Sequence, residues 1–171
     1  GYVDAKREVV VESGKNTSIE DTALAPYETY TTHIDADQGG TATNEAGTVE
    51  VVFPQGALPE DLDVSIVRLE KEGYPVPLMK GQEFVDSVQF SEEHIDFNEE
   101  VTLRFSNKWG FSAGTKLPFA FGSHSDDDPS PEFPYYDPGM GQVTDDGEWI
   151  ELNLHHFSCP SLVLPSCGPG S

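Results

Sequence analysis

Short runs of alternating apolar and polar residues, separated by turn residues, follow one another from residue 39 onward. In 101–105, valine, leucine and phenylalanine alternate with threonine and arginine, so the apolar side chains share one face of an extended strand. The same alternation in 149–154 places Ile150, Leu152 and Leu154 together. Such runs, bounded by Asn, Asp and Gly turns, predict half-buried antiparallel strands and an all-β sandwich or barrel.

The pattern also predicts where the strands lie. We expect strands at 48–53, 62–69, 83–90, 100–105, 117–121, either 134–137 or 141–144, 148–154 and 161–164. No stretch shows sustained helical periodicity, and at most a single turn follows 59–61. Extending the alternation of 149–154 predicts that His156 faces the interior and His155 faces solvent.

Pro54 and Gly56 predict a corner in the chain after one of the strands. Pro54 has no N–H to give to a strand ladder, so it predicts the end of the strand at Phe53. Gly56 permits a positive φ at the corner, after which Ala57 and Leu58 return to the core. This loop offers no nucleophile or base, so we expect its role to be structural.

Residues 1–38 differ from the rest of the chain in their pattern of apolar and polar residues. They are polar and irregular, with a β-like run at 8–12 and a Thr/Tyr-rich run at 27–34. We predict an N-terminal extension that adds a strand to its own domain or to a neighbouring molecule. The chain of 171 residues otherwise fits one domain, predicted at 39–164 with an acidic insertion at 123–138 and a C-terminal tail at 165–171.

The charge balance excludes two kinds of partner. The chain has 31 acidic and 9 basic residues, which give a formal net charge of −22. This charge repels nucleic acid and anionic membranes. No apolar run approaches the roughly 20 residues that span a bilayer, so we expect no membrane insertion. The acidic residues are scattered, as on a solvated surface, and a saline or calcium-rich setting would suit them.

Two small groups of residues carry candidate chemistry. Cys159 and Cys167 are the only cysteines and lie close together, which favours a disulfide in an oxidising compartment. Metal binding by this pair is the weaker alternative, since two cysteines supply half of the usual zinc ligands. Asp126, Asp127 and Asp128 offer hard oxygen ligands and are calcium candidates; no other cofactor is predicted.

Three motifs in order resemble the ZU-five domain, a β-sandwich module of netrin receptors, ankyrins, zonula occludens proteins and self-cleaving death-domain adaptor proteins. They occupy 39–61, with Pro-Gln-Gly-Ala-Leu at its corner, then 88–103, with Phe before a Val-Thr-Leu strand, then 147–158. The resemblance covers 39–164 and implies an immunoglobulin-like antiparallel sandwich of 7–9 strands. The insertion at 123–138 and the first 38 residues depart from the family pattern.

The resemblance also implies a reaction. Some relatives cut their own backbone between Phe and Ser of a His-Phe-Ser sequence, which is present here as His156, Phe157 and Ser158. By that likeness, His156 would take the proton from the Ser158 hydroxyl, whose oxygen would attack the Phe157 carbonyl, and water would hydrolyse the resulting ester. The favoured alternative is structural: a buried histidine bonded to backbone, and a serine that closes a turn before Pro160.

Three functions therefore remain open at the level of sequence. We expect a non-catalytic structural or interaction module, extracellular or at the cell surface, that binds a protein partner or assembles with itself. One alternative is the same module with a single-turnover cut between Phe157 and Ser158. The other is a filament or sheath subunit that assembles by strand addition through residues 1–38.

Overall fold

The structure, a computed structural model, describes residues 2–3, 9, 11–17, 23–26, 29–74, 82–92, 95–122, 139–157 and 159–165. The described chain is all-β, apart from one 3-10 turn at Lys71–Gly73. The strands are β1 Thr32–Ile34, β2 Gly40–Thr43, β3 Val49–Phe53, β4 Leu62–Val64, β5 Ile66–Leu69, β6 Gln82–Phe90, β7 Asp96–Ser106, β8 Lys116–Gly122, β9 Gly139–Val143, β10 Trp149–His156 and β11 Cys159–Pro165. In the part of the chain just defined, no helix is long and apolar enough to cross a membrane.

Nine strands form one antiparallel sheet in the order β2-β3-β7-β10-β9-β8-β11-β6-β5. The sheet folds over so that its two halves face each other: the rings of Phe105 on β7 and Phe119 on β8 lie 5.5 Å apart although these strands are not neighbours in the order. This confirms the predicted all-β sandwich, and the nine strands of the main sheet fall within the predicted range.

A two-stranded ribbon connects the two ends of this sheet. β1 pairs with β4, which continues into β5 after the single residue Ser65. β1 is in turn joined to β2 by a tight connection in which Asp35 bridges Gly39. The main sheet is thereby almost closed into a barrel.

The core lies between the two halves and follows the predicted alternation. Val101, Leu103 and Phe105 on β7 are buried, as are Ile150, Leu152 and Leu154 on β10. The intervening residues are partly or fully exposed. The alternating faces predicted from the sequence are confirmed for both strands.

The proline-glycine corner is also confirmed. β3 ends at Phe53, Gly56 has a φ of 77°, and Ala57 and Leu58 are buried. The corner is crowded by Gly39, where a Cβ atom would stand 2.4 Å from the Phe53 carbonyl oxygen. Glycine is therefore required on sterics as well as on its φ of 72°.

The described parts of residues 1–38 contact their own sandwich. The Val3 N–H donates to the Ala25 carbonyl oxygen at 2.7 Å. Val3 is buried in a small cluster with Val67 and Leu69 of β5, separate from the main core. Strand addition to a neighbour through residues 1–38 stays a prediction.

Candidate functional site

The predicted inward direction of His156 is wrong. Both His155 and His156 are exposed, because the pairing of β10 with β7 shifts register between Leu154 and His156. Between these two residues β10 advances two positions while β7 advances five, from Val101 to Asp96, and such an irregularity breaks the two-residue alternation of faces. The candidate base therefore lies on the outer surface, where its backbone pairs with Asp96.

Phe157, by contrast, is an anchor of the main core. Its ring centroid lies 4.7 Å from that of Phe90, 4.9 Å from Phe97 and 6.1 Å from Phe53. Its N–H donates to the Ile95 carbonyl oxygen at 3.1 Å. Aromatic contacts of this kind contribute about 0.5–1.5 kcal/mol per pair beyond area burial, which gives Phe157 a structural role independent of any cleavage.

Other predicted site residues lie outside the described residues or at their edge. Ser158, Cys167 and the calcium candidates Asp126, Asp127 and Asp128 are outside them. The backbone of Cys159 begins β11 and pairs with Gly122. Cleavage, the disulfide and calcium binding thus stay predictions, and among the described residues no three His, Cys, Asp or Glu side chains form a group that could hold a metal ion.

A buried charged pair that the sequence analysis did not single out lies at one end of the sandwich. Arg68 of β5 and Asp86 of β6 form an ion pair, with side chains 11% and 1% exposed. The Arg68 Nε donates to Asp86 Oδ2 at 2.9 Å, and Nη1 donates to the Ser106 hydroxyl at 2.8 Å and the Thr48 carbonyl at 3.2 Å. The guanidinium thereby links β5 and β6 to the other half of the sheet.

An aromatic side chain and a second cation complete this cluster. The Arg68 guanidinium carbon lies 5.5 Å from the centroid of Trp109, and Lys108 Nζ lies 4.8 Å from the same ring. Burial raises the pKa of the Asp86 carboxyl, while the hydrogen bonds and charge of Arg68 oppose the rise. The arrangement satisfies its own donors and acceptors, so it is suited to holding the two halves together.

The sequence did contain a signal for this pair. Asp86 shares a strand face with Val88 and Phe90, and Arg68 shares one with Ile66. An acidic and a basic side chain at inward positions of two predicted neighbouring strands are expected to form an ion pair, because buried charges require partners.

A second titratable pair lies on the surface of the ribbon. The His33 Nδ1 and Asp63 Oδ1 atoms are 2.8 Å apart, across paired strands β1 and β4. The hydrogen bond to Asp63 raises the pKa of His33, helped by the charges of Asp61 and Asp35. This exposed pair responds to pH but encloses no cavity.

A groove in the described surface lies between β9 and β10, and we call it the β9–β10 wedge. The two strands pair only at Ile150 with Val143 and at Glu151 with Gln142. Beyond these pairs β10 continues against β7, while β9 continues against β8. The groove so formed has a volume of about 630 Å³; its lining includes Met140, Gln142, Asp145, Glu151, Leu152 and Asn153.

The wedge combines apolar and acidic groups. Met140 is 59% exposed and lines the wedge beside Leu152, which is buried. Glu151 accepts a hydrogen bond from Arg104 Nε at 2.7 Å, and Asp145 lies in the adjoining turn. Such a surface is suited to holding a ligand by contact and charge; it brings together no nucleophile and base.

Comparison with protein-family models found no match to this chain, and comparison with curated proteins found none either. The likeness to the ZU-five domain therefore rests on the three motifs and stays a prediction.

Proposed function

We propose that this chain is a non-catalytic interaction module, extracellular or at the cell surface, that serves as one piece of a larger assembly. The single observation that carries the proposal is the β9–β10 wedge, where the sheet divides and leaves an exposed apolar side chain beside acidic groups. Concave surfaces with exposed apolar residues inside a polar rim are typical of binding sites. The cysteine pair, predicted to form a disulfide, supports the extracellular part of the proposal.

The distribution of polar groups supports the same proposal. The outward positions of β7 and β10 carry Glu100, Thr102, Arg104, Glu151 and Asn153, which bond to one another across the strands. This outer face is polar and satisfied within itself, so it needs no cover. The wedge, in contrast, leaves Met140 in solvent.

A site-specific photo-crosslinker at position 140 tests the proposal. The probe replaces Met140 in the full chain, produced in the cells that make the protein, and a matched probe replaces Thr41, an exposed residue of β2. We expect a discrete protein adduct from position 140, reduced by an excess of unlabelled protein, and none from position 41. The same adducts from both positions, or none from either, would refute the proposal.

A further inference from the structure

The wedge interrupts a hydrogen-bonded ladder at an identifiable pair. Because β9 and β10 run antiparallel and Glu151 pairs with Gln142, the next hydrogen-bonded pair two residues on would join Asn153 to Met140. That pair is not made, although both residues lie within strands. Both residues line the wedge instead.

Neighbouring contacts fix the direction of the β10 peptide groups. The Trp149 carbonyl accepts from the Thr144 N–H at 2.9 Å, across the hairpin toward β9. The Glu151 carbonyl oxygen lies 3.2 Å from the position that a Cβ on Gly141 would occupy, so it also points toward β9. Residues two apart in a strand direct their peptide groups the same way, so Asn153 directs its N–H and C=O into the wedge.

The peptide groups of alternate residues on β9 likewise point toward β10. The Val143 N–H donates to the Thr115 carbonyl at 2.9 Å, so Val143 bonds on the β8 side. Because the direction alternates along a strand, the peptide groups of Gln142 and Met140 point toward β10. Pro118, which lies opposite Met140 on β8, has no N–H to donate, which agrees with Met140 directing its peptide groups into the wedge.

We infer that the wedge binds an extended segment of a protein partner that carries lysine or arginine, by adding it as a strand between β9 and β10. Its main chain would bond to the peptide groups of Met140 and Asn153, as in recognition by strand addition. Its basic side chains would face Asp145, since the Glu151 carboxylate already pairs with Arg104, and the net charge of −22 would aid association. This inference rests on the proposed function, whose partner class it names.

Calorimetric titration of the full chain with synthetic peptides tests the inference. The probe is a capped peptide of alternating valine and lysine; one matched peptide has glutamate in place of lysine, and another has proline at alternate positions. We expect the lysine peptide to bind, more weakly as salt is added, and the other two not to bind. Equal binding of the glutamate peptide, or no binding of the lysine peptide, would overturn the inference.

Variants of Asn153 isolate the backbone contact. Asn153→Pro removes the N–H that faces the wedge, so we expect binding about tenfold weaker, as for the loss of one hydrogen bond. Asn153→Ala loses the same side chain but keeps the N–H, so the proline variant is compared with it and should bind more weakly than it does. If the proline variant does not fold, Met140→Pro makes the same change on β9. Unchanged binding in a folded proline variant would overturn strand addition.

Charge variants isolate the electrostatic contact. Asp145→Asn removes a charge at the wedge, and Asp37→Asn removes one from an exposed turn elsewhere. We expect binding to weaken about threefold in the first variant and to change little in the second. If both variants weaken binding equally, net charge alone attracts the peptide, and the proposal of a binding site at the wedge is overturned.

Two other occupants give different results. If the lysine peptide binds only after residues 123–138 are replaced by a short Gly-Ser linker, the chain's own insertion fills the wedge. If light scattering shows mass rising with concentration and Asn153→Pro abolishes the rise, a second copy fills it. Either result overturns the cationic partner, whereas the proposed function fails only if the cross-linking at position 140 fails.

Discussion

Removing the Asp86 carboxylate tests whether the buried ion pair holds the two halves of the sandwich together. The replacement Asp86→Leu leaves the Arg68 guanidinium, only 11% exposed, without its carboxylate partner. Loss of one member of a buried pair typically lowers the free energy of unfolding by about 3–5 kcal/mol, because the remaining charge is buried uncompensated. That is a large share of the roughly 5–15 kcal/mol that stabilises a domain.

The double variant Arg68→Met/Asp86→Leu separates lost charge pairing from lost packing. It removes both charges and leaves no buried ion behind. Arg68 donates to the Thr48 carbonyl and also to the Ser106 carbonyl, and both keep another donor. The Ser106 N–H donates to the Thr48 carbonyl at 2.9 Å, and the Lys108 N–H donates to the Ser106 carbonyl at 2.8 Å. We therefore expect the double variant to be more stable than Asp86→Leu alone.

Urea unfolding measured by tryptophan fluorescence provides the comparison. With a slope of about 2 kcal/mol per molar urea, a loss of 4 kcal/mol moves the midpoint by about 2 M. The control is Glu151→Gln in the exposed pair with Arg104, where the side chains are 35% and 37% exposed and the expected loss is below about 1 kcal/mol. An Asp86→Leu loss no larger than that of this control, or a double variant no more stable than Asp86→Leu, would show that the buried pair does not hold the two halves together.

Three further predictions concern other parts of the molecule. Intact mass under denaturing conditions without boiling should show one species of 18.7 kDa, and two fragments that disappear in Ser158→Ala would establish cleavage instead. The pKa of His33, measured by NMR, should fall toward its ordinary value of 6.5 in Asp63→Asn, and an unchanged pKa would exclude the contact. Because the folded pKa is raised, the stability that this pair contributes is complete below pH 6.5 and is lost as the pH rises through the folded pKa. Gly39→Ala should lower the melting temperature more than Gly47→Ala. Both glycines have a positive φ, but only at position 39 would the new Cβ atom lie against backbone atoms. Equal losses in melting temperature would contradict this close approach.

The sequence predicted those strands whose side chains alternate between core and solvent. β3, β7 and β10 have one apolar face, which a period of two reveals. β2, with the sequence Gly-Thr-Ala-Thr, has no large apolar residue and forms through its pairing with β3, so periodicity missed it. β7 also begins at Asp96, earlier than predicted, because Asp96 pairs with His156 while residues 96–100 remain largely exposed.

The candidate site was less predictable, because it depends on departures from regular pairing. A bulge after Leu154 turned His156 outward, and alternation cannot detect a bulge in advance. The wedge arises where β9 and β10 part to join different halves of the sheet, which only the strand order reveals. The Arg68–Asp86 pair was accessible in principle, since both residues interrupt apolar faces.

The ribbon of β1 and β4 has a consequence for solubility. An open nine-stranded sheet would present the unpaired peptide edges of β2 and β5, and such edges favour aggregation between molecules. Because β4 runs on into β5 and β1 turns back into β2, the three residue pairs of the ribbon tie the two edge strands to each other. Truncation before Asp35 would therefore release both edge strands from each other, and the shortened chain would be prone to pair edge to edge with its own copies.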